Sequence, residues 1–85
     1  MRLDKFLKVS RLVKRRPVAK EMTDAGRVKV NDKVAKASTE VKVGDVLDIG
    51  FGQKACKAKI LEVKETVTKE GAKELYLLLS GTEID

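Results

Sequence analysis

Nine basic side chains crowd the first third of the chain in a pattern suited to holding a polyanion. Arg2, Lys5 and Lys8 recur every three residues, Arg11, Lys14, Arg15 and Arg16 fall in the run SRLVKRR, and Arg27 and Lys29 follow in GRVKV. A guanidinium forks two hydrogen bonds onto one phosphate, and arginines outnumber lysines five to four in this set although lysine is the commoner residue of the whole chain. That bias favours recognition over a charged face kept only for solubility, the plain alternative. The charge is also segregated. Residues 1–36 hold twelve Lys and Arg against four Asp and Glu, a balance of +8, whereas residues 37–85 hold seven against nine, a balance of −2. A positive excess gathered in one stretch is the electrostatic footprint of a nucleic-acid binder.

Other chemistries find little to work with. Asp4, Asp24 and Asp32 read as a helix-start charge, a helix-surface charge and a turn residue, not as a general acid paired with a general base. Cys56 is the single cysteine and the chain has no histidine, so neither an internal disulfide, a zinc cluster nor an activated thiol is expected. Gly50 and Gly52 precede Gln53-Lys54 without the full glycine-rich phosphate loop, and they read as a turn. No catalytic residues, no metal site and no cofactor are expected. No apolar run approaches the roughly 20 residues of a membrane span, and MRLDKFLKVSR lacks the apolar core of a signal peptide. The reading is of a cytoplasmic protein with no membrane partner.

The elements that must position the basic set can be read from periodicity. Leu3, Phe6 and Leu7 stand at i, i+3 and i+4, which predicts a short helix over about 2–9 with Arg2, Lys5 and Lys8 along one edge. Leu12 and Val13 anchor a basic loop to the core and leave Arg11, Lys14, Arg15 and Arg16 outward. Pro17 suits the first turn of a second helix running to about Ala25, with Val18, Met22 and Ala25 inward, Ala19 beside them, and Gly26 as its left-handed stop. Arg16 then sits at the positive mouth of that helix, a natural seat for phosphate. From Arg27 the period becomes two: a hairpin turning at Asn31-Asp32, short strands between Thr39 and Ile49, a strand through Cys56, Ala58 and Ile60, and a last one over Leu75 to Leu79. At 85 residues, 42% of them hydrophobic and 38% charged, this is one α+β domain: two short N-terminal helices packed on a small, bent, mostly antiparallel sheet.

The aromatic inventory narrows the nucleic acid. Phe6, Phe51 and Tyr76 are the only three, and Phe6 belongs to the core, so no platform exists for stacking single-stranded bases. Recognition of folded RNA by shape and backbone fits better. A DNA-binding helix-turn-helix is a rival, but its second helix would be PVAKEMTDA, with one lysine against Glu21 and Asp24. A protein adaptor docking an acidic partner on the basic face is a second rival.

The opening RLDKFL, the SRLVKRR loop, the AGRVKVNDK junction and the VKVGDVLDI strand pair, in this order, resemble the RNA-binding domain first described in ribosomal protein S-four. The likeness covers residues 2–49 and implies the alpha-L motif, with structured RNA bound on the helical face. The matching positions are Arg2, Lys5, Arg11, Lys14, Arg15, Arg16 and Arg27, and Lys8 joins them by its helical spacing. On this reading residues 1–85 form a single RNA-binding domain with a core motif at 2–49 and a C-terminal strand extension at 50–85. The FGQK stretch extends the resemblance to stand-alone members related to the heat-shock protein that recognises obstructed large ribosomal subunits. That implies a monomer off the ribosome that contacts large-subunit ribosomal RNA and tRNA on the large ribosomal subunit. It also implies cooperation with RqcH while alanine tails are added to stalled chains. A generic structured-RNA-binding or ribosome-assembly protein is the broader alternative.

Overall fold

The computed structural model describes residues 1–82, with Phe51 described through its backbone alone. Helix α1 (Leu3–Val9) and helix α2 (Arg16–Asp24) lead into strands β1 (Val28–Val30), β2 (Lys33–Val34), β3 (Val46–Phe51) and β4 (Lys54–Ile60), a helical turn α3 (Lys69–Ala72) and strand β5 (Tyr76–Gly81). The strands form one antiparallel sheet in the order β2-β1-β3-β4-β5. This is the α+β architecture that the change of periodicity predicts.

Helix α1 forms because Leu3, Phe6 and Leu7 can all reach the core from one face, and each is fully buried. Helix α2 ends where the chain can turn left-handed. Gly26 adopts φ +72°, and its N–H donates to the Thr23 carbonyl while that of Arg27 donates to the Met22 carbonyl at 2.9 Å. This pair of bonds is a Schellman motif, which caps carbonyls that the helix itself cannot satisfy. The inward stripe of α2 differs from the expected one. Ala19, Met22 and Thr23 are buried, Val18 is half-buried and Ala25 is exposed at the helix end. Thr23 tolerates burial because its hydroxyl donates back to the carbonyls of Ala19 and Lys20.

Asn31 and Asp32 turn the first hairpin with φ +52° and +69°, the primed turn that suits right-twisted strands. Behind it, Val28 faces Ile49 and Ile49 faces Cys56, while Val30 faces Leu47 and Leu47 faces Ala58. These two cross-strand rows give the sheet the apolar face on which both helices pack.

Two expectations for the middle of the chain are corrected. Residues 39–45 form no strand: Val41 is buried, but Val43 is exposed on a turn. The cause is Asp45. Its buried carboxylate accepts from the Lys42 backbone N–H at 3.0 Å and from Asn31 Nδ2 at 3.1 Å, curling 42–45 into a turn completed by Gly44 at φ +95°. Burial raises the Asp45 carboxyl pKa, but the bonds from Asn31 and Lys42 together outweigh it and hold the group below its ordinary range. The second correction concerns Gly50, which lies inside β3 opposite Ala55, so that the turn is Gly52-Gln53. The Gly50 N–H donates to the Arg27 carbonyl at 3.0 Å, which continues the β1–β3 ladder one residue past Val28 and Ile49.

Candidate nucleic-acid interface

Two anchors deliver the basic side chains. The buried Leu3, Phe6 and Leu7 fix the roll of α1 and so keep Arg2, Lys5 and Lys8 along its exposed edge. Leu12 and Val13, both fully buried, pin the connection between the helices, and the Val13 N–H donates to the Leu7 carbonyl at 3.2 Å. Lys14, Arg15 and Arg16 are thereby left on the surface at the start of α2. The N-cap of α2, Arg15, offers its own helix no side-chain acceptor, and no acid stands in its first turn. Its positive end therefore adds to the charge of the side chains around it.

Together these elements enclose an open groove of about 750 Å³. Arg2, Lys5, Lys8, Arg11, Lys14 and Arg16 line it along with Asp4. Six of the eight candidate residues are thus brought together. Arg15 flanks the groove as the N-cap of α2. Arg27 lies elsewhere, in a second hollow of about 400 Å³ beside Lys29, Asp48 and Lys57.

The cations are not equivalent. Arg2 is paired with Asp4, Nε to Oδ1 at 3.2 Å and Nη2 to Oδ2 at 3.3 Å, and Lys5 is paired with Glu65. Among the described residues no ion pair forms on Lys8, Arg11 or Arg16. Glu65, Thr66 and Val67 also supply a wall of the groove that the sequence gives no sign of. They sit in a polar stretch with no periodicity, 60 residues from Lys5.

Arg11 carries a mark of its position in the backbone. It is held at φ +60°, a left-handed conformation that costs a non-glycine residue about 1 kcal/mol. Arg11→Gly is expected to leave the fold as stable as before or to stabilise it by up to about 1 kcal/mol, while weakening binding of RNA. Denaturant midpoints and RNA titrations on the same variant check the opposed signs, and a loss of stability would refute them.

Among the described residues no aromatic side chain reaches this surface. Phe6 and Tyr76 are buried, and the Phe51 side chain lies outside the described residues. Among the described residues no group of His, Cys, Asp and Glu could hold a metal ion, and no helix is long and apolar enough to cross a membrane.

A family model, the S4 domain, matches residues 1–47. Over 85 residues the chain is 52% identical to the RQC P-site tRNA stabilizing factor of Streptococcus pneumoniae, covering 100% of this chain and 97% of that one. It is 54% identical over 84 residues to the protein of the same name from Bacillus subtilis, covering 99% and 98%. The trimeric structure of Vibrio cholerae Heat Shock Protein 15 superposes with a TM-score of 0.83 at 28% identity, covering 94% of this chain and 82% of that one.

Proposed function

The chain belongs to the S4 domain family, and from that premise we propose that it is a non-catalytic RNA-binding factor of ribosome-associated quality control. Its relatives of about half-identical sequence and nearly equal length are named RQC P-site tRNA stabilizing factor, which supports a role with tRNA on the ribosome. The observation that carries the reading is the groove, where two helices and their connection aim six cations at one volume. A carboxylate substrate or a metal would need fewer positive charges and more varied donors. A phosphodiester backbone offers regularly spaced anions to such a set.

In the finer form of the proposal, Arg2 and Arg16 hold phosphates of an RNA helix, and Lys5, Lys8, Arg11, Lys14 and Arg15 widen the contact. The protein binds the obstructed large ribosomal subunit between its ribosomal RNA and the tRNA. It keeps that tRNA in place while RqcH drives C-terminal alanine tailing of the stalled chain. Its contribution is positional: it adds binding energy to one arrangement of the tRNA and performs no bond chemistry. Arg27 is proposed as a separate contact from the second hollow.

The test is a tagged pull-down from bacterial lysate, with and without RNase, followed by sedimentation. Nuclease-sensitive recovery with free large subunits that carry peptidyl-tRNA is the expected result. Recovery of a nuclease-resistant protein partner without ribosomal RNA would make the basic groove an adaptor surface instead.

A further inference from the structure

The wall of the groove facing α1 comes from a part of the chain beyond the S4 domain match, which ends at residue 47. The connection after β4 brings Glu65, Thr66 and Val67 to line the volume that the cations surround. The Lys5 ammonium donates a hydrogen bond to the Glu65 carboxylate. That bond, and behind it the charge of Lys5, holds the Glu65 carboxyl below the ordinary carboxylate range.

This pair does little for the fold. The Lys5 side chain is 49% exposed and that of Glu65 73%, and exposed ion pairs add little to stability. It differs from the other carboxylate in the groove. Asp4 is committed to its own helix, accepting from the Lys5 backbone N–H at 2.8 Å and from the Arg2 guanidinium. Glu65 instead arrives from across the fold and meets a side-chain ammonium inside a site built for anions. A carboxylate oxygen on an ammonium occupies the place that a phosphate oxygen would take.

We propose that Glu65 is an internal counter-anion on Lys5 that an RNA phosphate displaces on binding. The inference rests on the RNA-binding reading above and deepens it. An RNA that reaches only Lys8, Arg11 and Arg16 leaves the Lys5–Glu65 pair engaged. One whose phosphates span the groove exchanges the carboxylate oxygen on Lys5 for a phosphate oxygen, and Glu65 turns to water. The exchange moves hydrogen bonds only, and it lowers the affinity for RNA that the six cations alone would give.

Titrations of the full chain with a fluorescent RNA stem-loop test this. Glu65→Gln keeps the shape of the side chain and removes its charge, so binding is expected to tighten about two- to fivefold. In a Lys5→Ala background the same substitution is expected to change little, because the pair it releases is already gone. Equal tightening in both backgrounds would mean general repulsion and overturn the proposal. A second readout is the ¹³C shift of the Glu65 carboxyl followed through pH. Its midpoint is expected below the ordinary range in the free protein and higher once RNA is bound, and an unmoved midpoint overturns the proposal. Failure of the unsubstituted protein to bind the stem-loop would remove the RNA reading itself. That is distinct from the case in which RNA binds and Glu65→Gln has no effect.

Discussion

Replacing Phe6 with alanine is expected to destabilise the protein by about 3–5 kcal/mol, the cost of deleting a buried aromatic and leaving a cavity. Phe6 is fully buried and, among the described residues, is the largest of the fully buried side chains. It stands on α1 among Leu3 and Leu7, and its cluster includes Leu12, Val13, Met22 and the inner face of the sheet. A domain of this length has a total stability of roughly 4–13 kcal/mol, so the substitution consumes a large share of it. Helix α1 has only seven residues and gains little from helix propensity alone; its packing holds it. RNA binding should therefore fall together with the circular-dichroism signal of folding, because Arg2, Lys5 and Lys8 lose the element that aligns them. Phe6→Leu fills part of the space and should retain most of the fold. A denaturant midpoint for Phe6→Ala near that of the parent would show that the core closes around the gap, contrary to this account.

The same residue explains why the helical half was legible before the structure. Leu3, Phe6 and Leu7 carry the helical period, Gly26 carries the stop and Asn31-Asp32 the primed turn. Each is a local signal whose cause lies within a few residues. The misread parts have causes farther away. Val41 and Val43 alternate like a strand, but the Asp45 carboxylate binds both the Lys42 backbone and the Asn31 side chain, and Asn31 lies 14 residues back. Alternation cannot report a side chain that recruits a distant backbone turn. Ala25 is the local exception: it has helical spacing with Met22, yet as the C-cap it falls where the helix has already begun to unwind into Gly26.

The candidate site divides along the same line. Arg2, Lys5, Lys8, Arg11, Lys14 and Arg16 lie on two short elements and their connection, so sequence proximity becomes spatial proximity. Arg27 follows α2 directly, but the Schellman turn redirects the chain into β1 and carries Arg27 to another hollow. Glu65 was invisible for the opposite reason. Its surroundings in sequence mix Lys64, Thr66, Val63 and Val67 with no period that marks an interface, and its partner Lys5 lies 60 residues away.

The salt dependence of RNA binding is where the charge arrangement should show its largest effect. If four to six phosphates are neutralised, the logarithm of affinity should fall against the logarithm of salt with a slope of roughly −3 to −5. A fourfold rise in salt would then weaken binding by roughly 60- to 1000-fold, far more than any single surface substitution. Arg16→Ala should weaken binding by about 1–2 kcal/mol and reduce the slope by about one, since one phosphate contact is lost. Its fold should persist because Arg16 is exposed and, among the described residues, makes no ion pair. Lys73 is equally charged and exposed but does not line the groove, so Lys73→Ala should leave both affinity and slope nearly unchanged. This contrast separates a site from net charge. If the effect came only from the overall balance of +6, the two substitutions would act alike, because each removes one positive charge from the same small molecule. A difference between them requires that phosphates sit close to Arg16, within the Debye length of about 8 Å at physiological salt, and not close to Lys73.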